Sequence, residues 1–228
     1  MTATSRMRST ERPGRPFSDP DRDSRVQLLS AATDLFAQQG VAATSFSAIA
    51  RRAGLTPAMV HYHFPNRDQL LDAVVEERLV PFLHYVWDPV RPGEHSRNLI
   101  RGLVQRLLEQ IELAPWVPST WMREILNEGG LLRGRMVPRL PFDKVRIVAQ
   151  AVASEQATRD VNPYVDPLLI VFSMLGLVMV HSATTRVWAE VFGRPTPDTV
   201  TMQRHITALL LNGLSPEPKL TQEAISTS

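Results

Sequence analysis

The stretch "SFSAIARRAGLTPAMVHYHFPNRDQLL", residues 45–71, leaves the chain little freedom, because helix start and stop signals follow one another at short intervals. Ser45 is placed to cap a short helix over Phe46–Ala53, and Gly54 ends it with the positive φ that glycine tolerates. Thr56 then caps a second helix with Pro57 at its first position, where a missing N–H costs nothing. Pro65 stops that helix. Asn66 caps the next, with Gln69 three residues on in a capping-box arrangement. Two short helices joined at Gly54-Leu55-Thr56 suit a helix-turn-helix. Its inward positions read Ile49, Ala50, Ala53, Val60 and Phe64. Ala58, Met59, His61 and Tyr62 are left facing away from the core, able to reach base edges, thymine methyls or phosphates.

Apolar residues recur at helical spacing along nearly the whole chain, and no sustained period-2 alternation appears, so the fold class is all-α. A first helix from Ser24 or Arg25 presents Val26, Leu29, Ala32, Leu35 and Phe36 on one face and ends at Gly40. A fourth carries Leu70, Leu71, Val74, Val75 and Leu79 and runs to about Trp87. After the break at "DPVRPGEHS" the pattern gives helices over Ser96–Leu113, Pro118–Asn127, Gly130–Pro138, Phe142–Arg159, Pro163–Phe192 and Pro197–Leu214. The expected organisation is an Arg-rich, disordered arm (1–22), a three-helix DNA-binding unit (23–82, motif 45–64), a larger helical bundle (83–215) and a loose tail (216–228).

Composition narrows the function classes. There is no cysteine, which excludes disulfides and thiolate chemistry and points to a cytoplasmic protein. Lys+Arg 25 against Asp+Glu 23 nearly cancels, so charge distribution matters more than the total. The opening "MTATSRMRSTERPGRPFSDPDRDSR" lacks an apolar run, so it reads as a solvated tail or a phosphate-seeking arm rather than a signal peptide. The apolar run "LLIVFSMLGLVMV", residues 168–180, spans about 20 Å as a helix, short of the ~30 Å of a bilayer core. It reads instead as a helix covered on both faces, by its own bundle and by a second subunit, with Ile206, Leu209 and Leu210 as the companion stripe.

Catalytic and metal chemistry find no support. His61 and His63 are two apart on a helix and point to different faces, and His63 reads as a structural residue between the motif and the fourth helix. His84, His95, His181 and His205 lack ligand spacing, and neither a phosphate-cradling Gly loop nor a G-x-S-x-G turn occurs. No catalytic residue, metal site or cofactor is therefore assigned. An enzyme or a protein-interaction module on the bundle is the alternative reading, and it lacks a nucleophile-base pair.

Residues 26–77, "VQLLSAATDLFAQQGVAATSFSAIARRAGLTPAMVHYHFPNRDQLLDAVVEE", closely resemble the DNA-binding domain of the TetR family of bacterial transcriptional regulators. The likeness rests on the "LF…GV..TS…IA..AG" run, the "YHF" and the capped fourth helix. The later part, with "REILNEGGLLR" and the long apolar helix, looks like that family's ligand-binding and dimerisation domain. The resemblance implies a homodimer on a palindromic double-stranded DNA operator, released by a small-molecule effector, with repression the usual mode. It implies phosphate-contacting hydroxyls at Thr44 and Ser45, a recognition helix starting at Thr56, Pro57 and Ala58, and groove-facing Met59, His61 and Tyr62. It also implies a phosphate contact at Arg67, where Lys is usual. Pro57, Met59 and His61 depart from the common residues, which shifts base reading toward apolar and shape contacts.

For the effector, "LAPWVPSTWMRE" (113–124) sets two Trp beside Pro115 and Pro118 at an irregular helix junction. That pattern suits a mostly apolar cavity with a few orienting polar groups. The expected lining is Trp87, Trp116, Trp121, Met122, Met136, Met174 and His181, against the plainer reading of each as core.

Overall fold

The computed structural model describes residues 20–193 and 195–216, with the side chains of Pro20 and Arg186 left out. Most of the Arg-rich arm and nearly all of the tail expected from the sequence lie outside the described residues. The described residues are helical and contain no strand. The first four helices are α1 (Pro20–Gln39), α2 (Phe46–Ala53), α3 (Pro57–His63) and α4 (Arg67–Val74). Helix α4 runs through a π-helical stretch (Val75–Leu79) into α5 (Val80–Trp87), so one continuous rod spans 67–87. The widened turn precedes Pro81, whose missing N–H and ring deny the Glu77 carbonyl its ordinary partner. Then come α6 (Ser96–Leu113), α7 (Val117–Thr120) with a π-helical stretch (Trp121–Leu126), α8 (Arg133–Met136), α9 (Phe142–Ala157), α10 (Leu169–Phe192) and α11 (Thr199–Gly213).

The local capping signals act as their chemistry dictates. Ser45 Oγ accepts from the Ala48 N–H at 3.2 Å, Thr56 Oγ1 from Met59 at 3.4 Å and Asn66 Oδ1 from Gln69 at 2.9 Å. No hydrogen bond returns from the Gln69 side chain among the described residues, so Asn66 is a simple cap rather than half of a box. Gly54 turns α2 into α3 at φ +69°. Gly40 sits at φ +84°, a backbone conformation that strains any other residue, and a Cβ there would also lie a tight 3.2 Å from Glu124 Oε1 and from Arg123 Cδ.

The first unit packs Leu28, Leu29, Ala32 and Phe36 of α1 against Ile49, Ala50, Val60, Phe64, Leu70 and Val74, all buried. The expected α1 face holds at Leu29, Ala32 and Phe36 with Leu35 half-buried, but Val26 is 45% exposed and Leu28 lies inside instead. Ala53, expected inward, is half-buried. Arg25 fixes the end of α3 to this core. Its guanidinium donates to the His63 carbonyl (3.3 Å), pairs with Glu77, and lies 4.7 Å over the Phe64 ring.

In the bundle, α6 is central, burying Leu99, Ile100, Leu103, Val104, Leu107 and Leu108 against α5, α9, α10 and α11. Helix α10 buries Ile170, Val171, Met174, Val178 and Met179 and leaves Leu169, Phe172, Val180, Val187 and Val191 exposed along its outer side. On α11 the expected companion stripe splits: Ile206 and Leu210 turn into this chain's own core, and only Leu209 (50% exposed) faces out. No helix among the described residues is long and apolar enough to cross a membrane.

Two further contacts join the units. Asp68, Asp72 and Glu76 recur every four residues along the 67–87 rod, forming one acidic stripe. Arg135 bridges Asp68 (2.6 Å) and Asp72 (2.7 Å), and Arg139 donates to Glu76 (2.6 Å). Partial burial disfavours the Arg135 charge, yet its hydrogen bonds to Asp72 and then Asp68 outweigh this and raise its pKa above the ordinary arginine value. The second contact is Glu124, only 6% exposed, whose Oε1 accepts from the Val41 N–H at 2.9 Å and Oε2 from Leu131 N–H at 3.2 Å.

Candidate nucleic-acid interface and effector cleft

Helix α3 is short and anchored on one side only. Val60 and Phe64 are buried, whereas Thr56, Pro57, Ala58, His61 and Tyr62 are exposed, Tyr62 at 68%. Met59 is half-buried, so it reaches the outer face only in part. The His61 ring meets Phe46 of α2 edge-on, 5.0 Å between centroids, while the residue stays exposed. His63 is the opposite case: its side chain is 5% exposed, and Nε2 lies 2.7 Å from Ser24 Oγ. That partner is on α1, so His63 ties the recognition helix to the start of the chain's first helix and not to the fourth, as the sequence suggested.

Two expected phosphate ligands stand elsewhere. Thr44 is 1% exposed, and its hydroxyl donates to the Gly40 carbonyl at 2.8 Å. A buried hydroxyl with its proton so engaged holds the α1–α2 loop rather than an external anion. Arg67 is turned the same way, donating to the Thr44 carbonyl at 2.8 Å and to the Val41 carbonyl. Ser45 stays exposed at the N-terminus of α2, although its oxygen already serves as the cap. The arrangement is a rigid two-helix reader with one bare face, long enough to enter a major groove.

Of the expected effector residues, Trp116 lines the cleft beside α1. Trp87 (4% exposed), Met136 and Met174 (both 0%) are core; Met122 (40%) points to solvent. Trp121 packs against the core from outside, and His181 spends Nδ1 on the Leu177 carbonyl (2.6 Å). Size and apolarity mark core and cavity alike, so these residues do not together line the cleft. The cavity itself is an open cleft of about 760 Å³ between α1 (Asp34, Ala37, Gln38) and the bundle, reached also by α6, α7, α10 and α11. Asp34, Glu112 and Met202, which line it, carry no sequence signal that separates them from an ordinary helix face.

The profile of the family described as bacterial regulatory proteins, tetR family, matches residues 28–74, which hold the second half of α1 together with α2, α3 and α4. A relative from Pseudomonas putida, the uncharacterized HTH-type transcriptional regulator TtgW, is 35% identical over 121 residues, covering 51% of this chain and 85% of that protein. The chain belongs to the TetR family. Within the matched residues, α2 and α3 form its helix-turn-helix. The HTH-type transcriptional regulator AcrR of Shigella flexneri is 27% identical over 141 residues, 61% of this chain and 57% of that one. The chain spans about half the length of several other curated relatives that it matches. The solved structure of the ketosteroid transcriptional regulator KstR2 of Mycobacterium tuberculosis superposes with a TM-score of 0.66 at 20% identity, over 85% of this chain and 95% of that one, which shows a shared fold.

Among the described residues, no group of three or more His, Cys, Asp and Glu is gathered to hold a metal.

Proposed function

We propose that this TetR-family regulator is a dimeric repressor that reads a palindromic operator with α3 and is released by a small molecule bound in the cleft beside α1. The observation that carries the reading is the bare outer face of α3, held in place by the Thr56 cap, the Val60 and Phe64 anchors and the His63–Ser24 bond. Thr56, Pro57, Ala58, His61 and Tyr62 form the contact face, with Met59 at its edge and Ser45 at the phosphate. Residues 23–82 act as the DNA-binding unit and 83–215 as the effector and dimerisation unit.

Dimerisation is supported by the outer side of α10. Leu169, Phe172, Val180, Val187 and Val191 recur at helical spacing and stay exposed, with Leu209 on α11. A stripe of this kind on a lone chain would be costly to hydrate, and burying it against a second copy removes that cost. Two-fold symmetry then demands a palindromic operator with half-sites set by the spacing of the two α3 helices. The ligand acts only through unequal affinity for the DNA-bound and free arrangements.

Sequencing the DNA retained by the purified protein tests the reading directly. The expected result is one enriched palindrome, bound with strong salt dependence. Retention of no sequence above background, by a folded protein, would overturn it.

A further inference from the structure

The charge of the effector cleft is more informative than its size. Asp34 on α1 and Glu112 near the end of α6 both line it, and none of its described lining residues is Lys, Arg or His. Glu112 is oriented by a hydrogen bond from the Thr199 hydroxyl. Trp116, half-buried, and Met202 line the same cleft and supply polarizable apolar surface. A cleft lined by carboxylates and an indole suits a positive charge carried next to an aromatic or aliphatic body.

Asp34 also has a partner outside the cleft. Arg52, the next-to-last residue of α2, donates to Asp34 Oδ2 at 3.0 Å, with both side chains nearly half exposed (49% and 44%). A pair this exposed is weak and readily exchanged. A cation that enters the cleft therefore competes with Arg52 for one carboxylate, and the competition ties cleft occupancy to a helix of the DNA-binding motif.

Resting on the reading that the cleft takes a small molecule, we propose that its ligand is an amphipathic organic cation, an amine or quaternary ammonium bearing an aromatic or branched apolar body. Asp34 binds it by exchanging Arg52 for the ligand, and Glu112 fixes the other side of the charge. Anionic ligands are disfavoured by the same two carboxylates. Removing Arg52 strengthens cation binding, because the Asp34 charge is then unopposed.

Calorimetric titration with three probes of one shape tests this: 2-naphthylmethyl-trimethylammonium, neutral 2-naphthylmethanol and anionic 2-naphthylacetate. The cation is expected to bind about tenfold or more tightly than the alcohol at low salt, with the acetate weakest. Asp34→Asn and Glu112→Gln should each weaken the cation several-fold and leave the alcohol unchanged. Arg52→Ala should tighten the cation and leave the alcohol unchanged. Arg52 and Glu112 are exposed and Asp34 is half-buried, and an unchanged thermal melt checks that each variant folds.

Equal affinity for cation and alcohol, or an Arg52→Ala variant that binds the cation no more tightly, would overturn the proposal. If both probes bind equally and Trp116→Ala abolishes both, the cleft stands as a ligand site and only its charge selection falls. If neither cation, alcohol nor acetate binds at millimolar concentration, the cleft reading falls together with the proposal.

Discussion

Replacing Glu124 should destabilise the protein more than any exposed acidic residue of the bundle, by an amount that the structure allows to be worked out. The carboxylate is 6% exposed and accepts two backbone N–H groups, Val41 at 2.9 Å and Leu131 at 3.2 Å. Hydrogen bonds to a charged group are worth about 1.5–3 kcal/mol each, and a buried donor left without a partner costs its desolvation in full. Glu124→Ala removes both acceptors, so a loss of about 3–5 kcal/mol is expected after partial relaxation. Glu124→Gln retains one acceptor oxygen but turns an NH2 toward the other donor, so roughly half that loss is expected. Glu128, exposed four residues later, provides the control, with an expected effect within about 0.5 kcal/mol.

Urea melts at one fixed protein concentration read these differences, because oligomerisation would otherwise shift the midpoint. A second readout locates the damage. Amide exchange at Val41 and Leu131 should accelerate in Glu124→Ala beyond what the global loss accounts for, since those two N–H groups lose their acceptor. A Glu124→Ala variant less than about 1 kcal/mol below wild type would refute the reasoning. So would Gln and Ala variants of equal stability, since the argument depends on counting acceptors.

Tyr62→Ala and His61→Ala should each weaken operator binding by about 1–3 kcal/mol if a base contact is lost, with unchanged circular dichroism; wild-type affinity in both, by gel shift, would remove α3 from the interface. Arg67→Ala should lower folding stability by about 1–3 kcal/mol, because the carbonyls of Val41 and Thr44 lose their donor, while the salt slope of operator binding stays at its wild-type value. A slope reduced by about one phosphate would return Arg67 to the DNA. Phe172→Glu should dissociate the dimer and abolish operator binding together, and sedimentation of that variant as a stable dimer would place the interface elsewhere.

The parts of the fold that were legible in the sequence are those governed by chemistry within a few residues. Ser45, Thr56 and Asn66 each cap the N–H three positions on, so a cap can be recognised without knowing the rest of the molecule. Long-range partners leave no such mark. Arg67 reads as a free cation at a helix start, but its partners are loop carbonyls 23 and 26 residues earlier. Glu124 reads as one polar residue among apolar ones, and its acceptor role depends on a loop 83 residues away. Phase was the other difficulty. Where nearly every position is apolar, as around Ile206–Leu210, periodicity cannot say which residues face the chain's own core, so Leu209 reads alike with its two inward neighbours. The cleft leaves no mark in the sequence for a related reason: Asp34 and Glu112 look like the solvated side of their helices until the fold sets both in one cleft.

The contacts between the two units differ in kind, and that difference constrains how a ligand could move one against the other. The ladder from Arg135 and Arg139 to Asp68, Asp72 and Glu76 is largely exposed, so it is screened by salt and can break and re-form rung by rung. The Glu124–Val41 bond is buried and, by its geometry, is either made or lost. The 67–87 rod is covalent, but its π-helical stretch at Val75–Leu79 has wider backbone bonding than the helix on either side. A small tilt of the DNA-binding unit can therefore be accommodated at the π-helical stretch and along the ladder at little cost. A larger one must break the Glu124 bond. Gly40 and Val41 lie where α1 ends, and α1 also forms one wall of the cleft, so a ligand pressing on Ala37 or Gln38 acts directly on the residues that Glu124 holds. The energy needed to release that bond, a few kcal/mol, is also the scale of differential ligand affinity required to invert a two-state population.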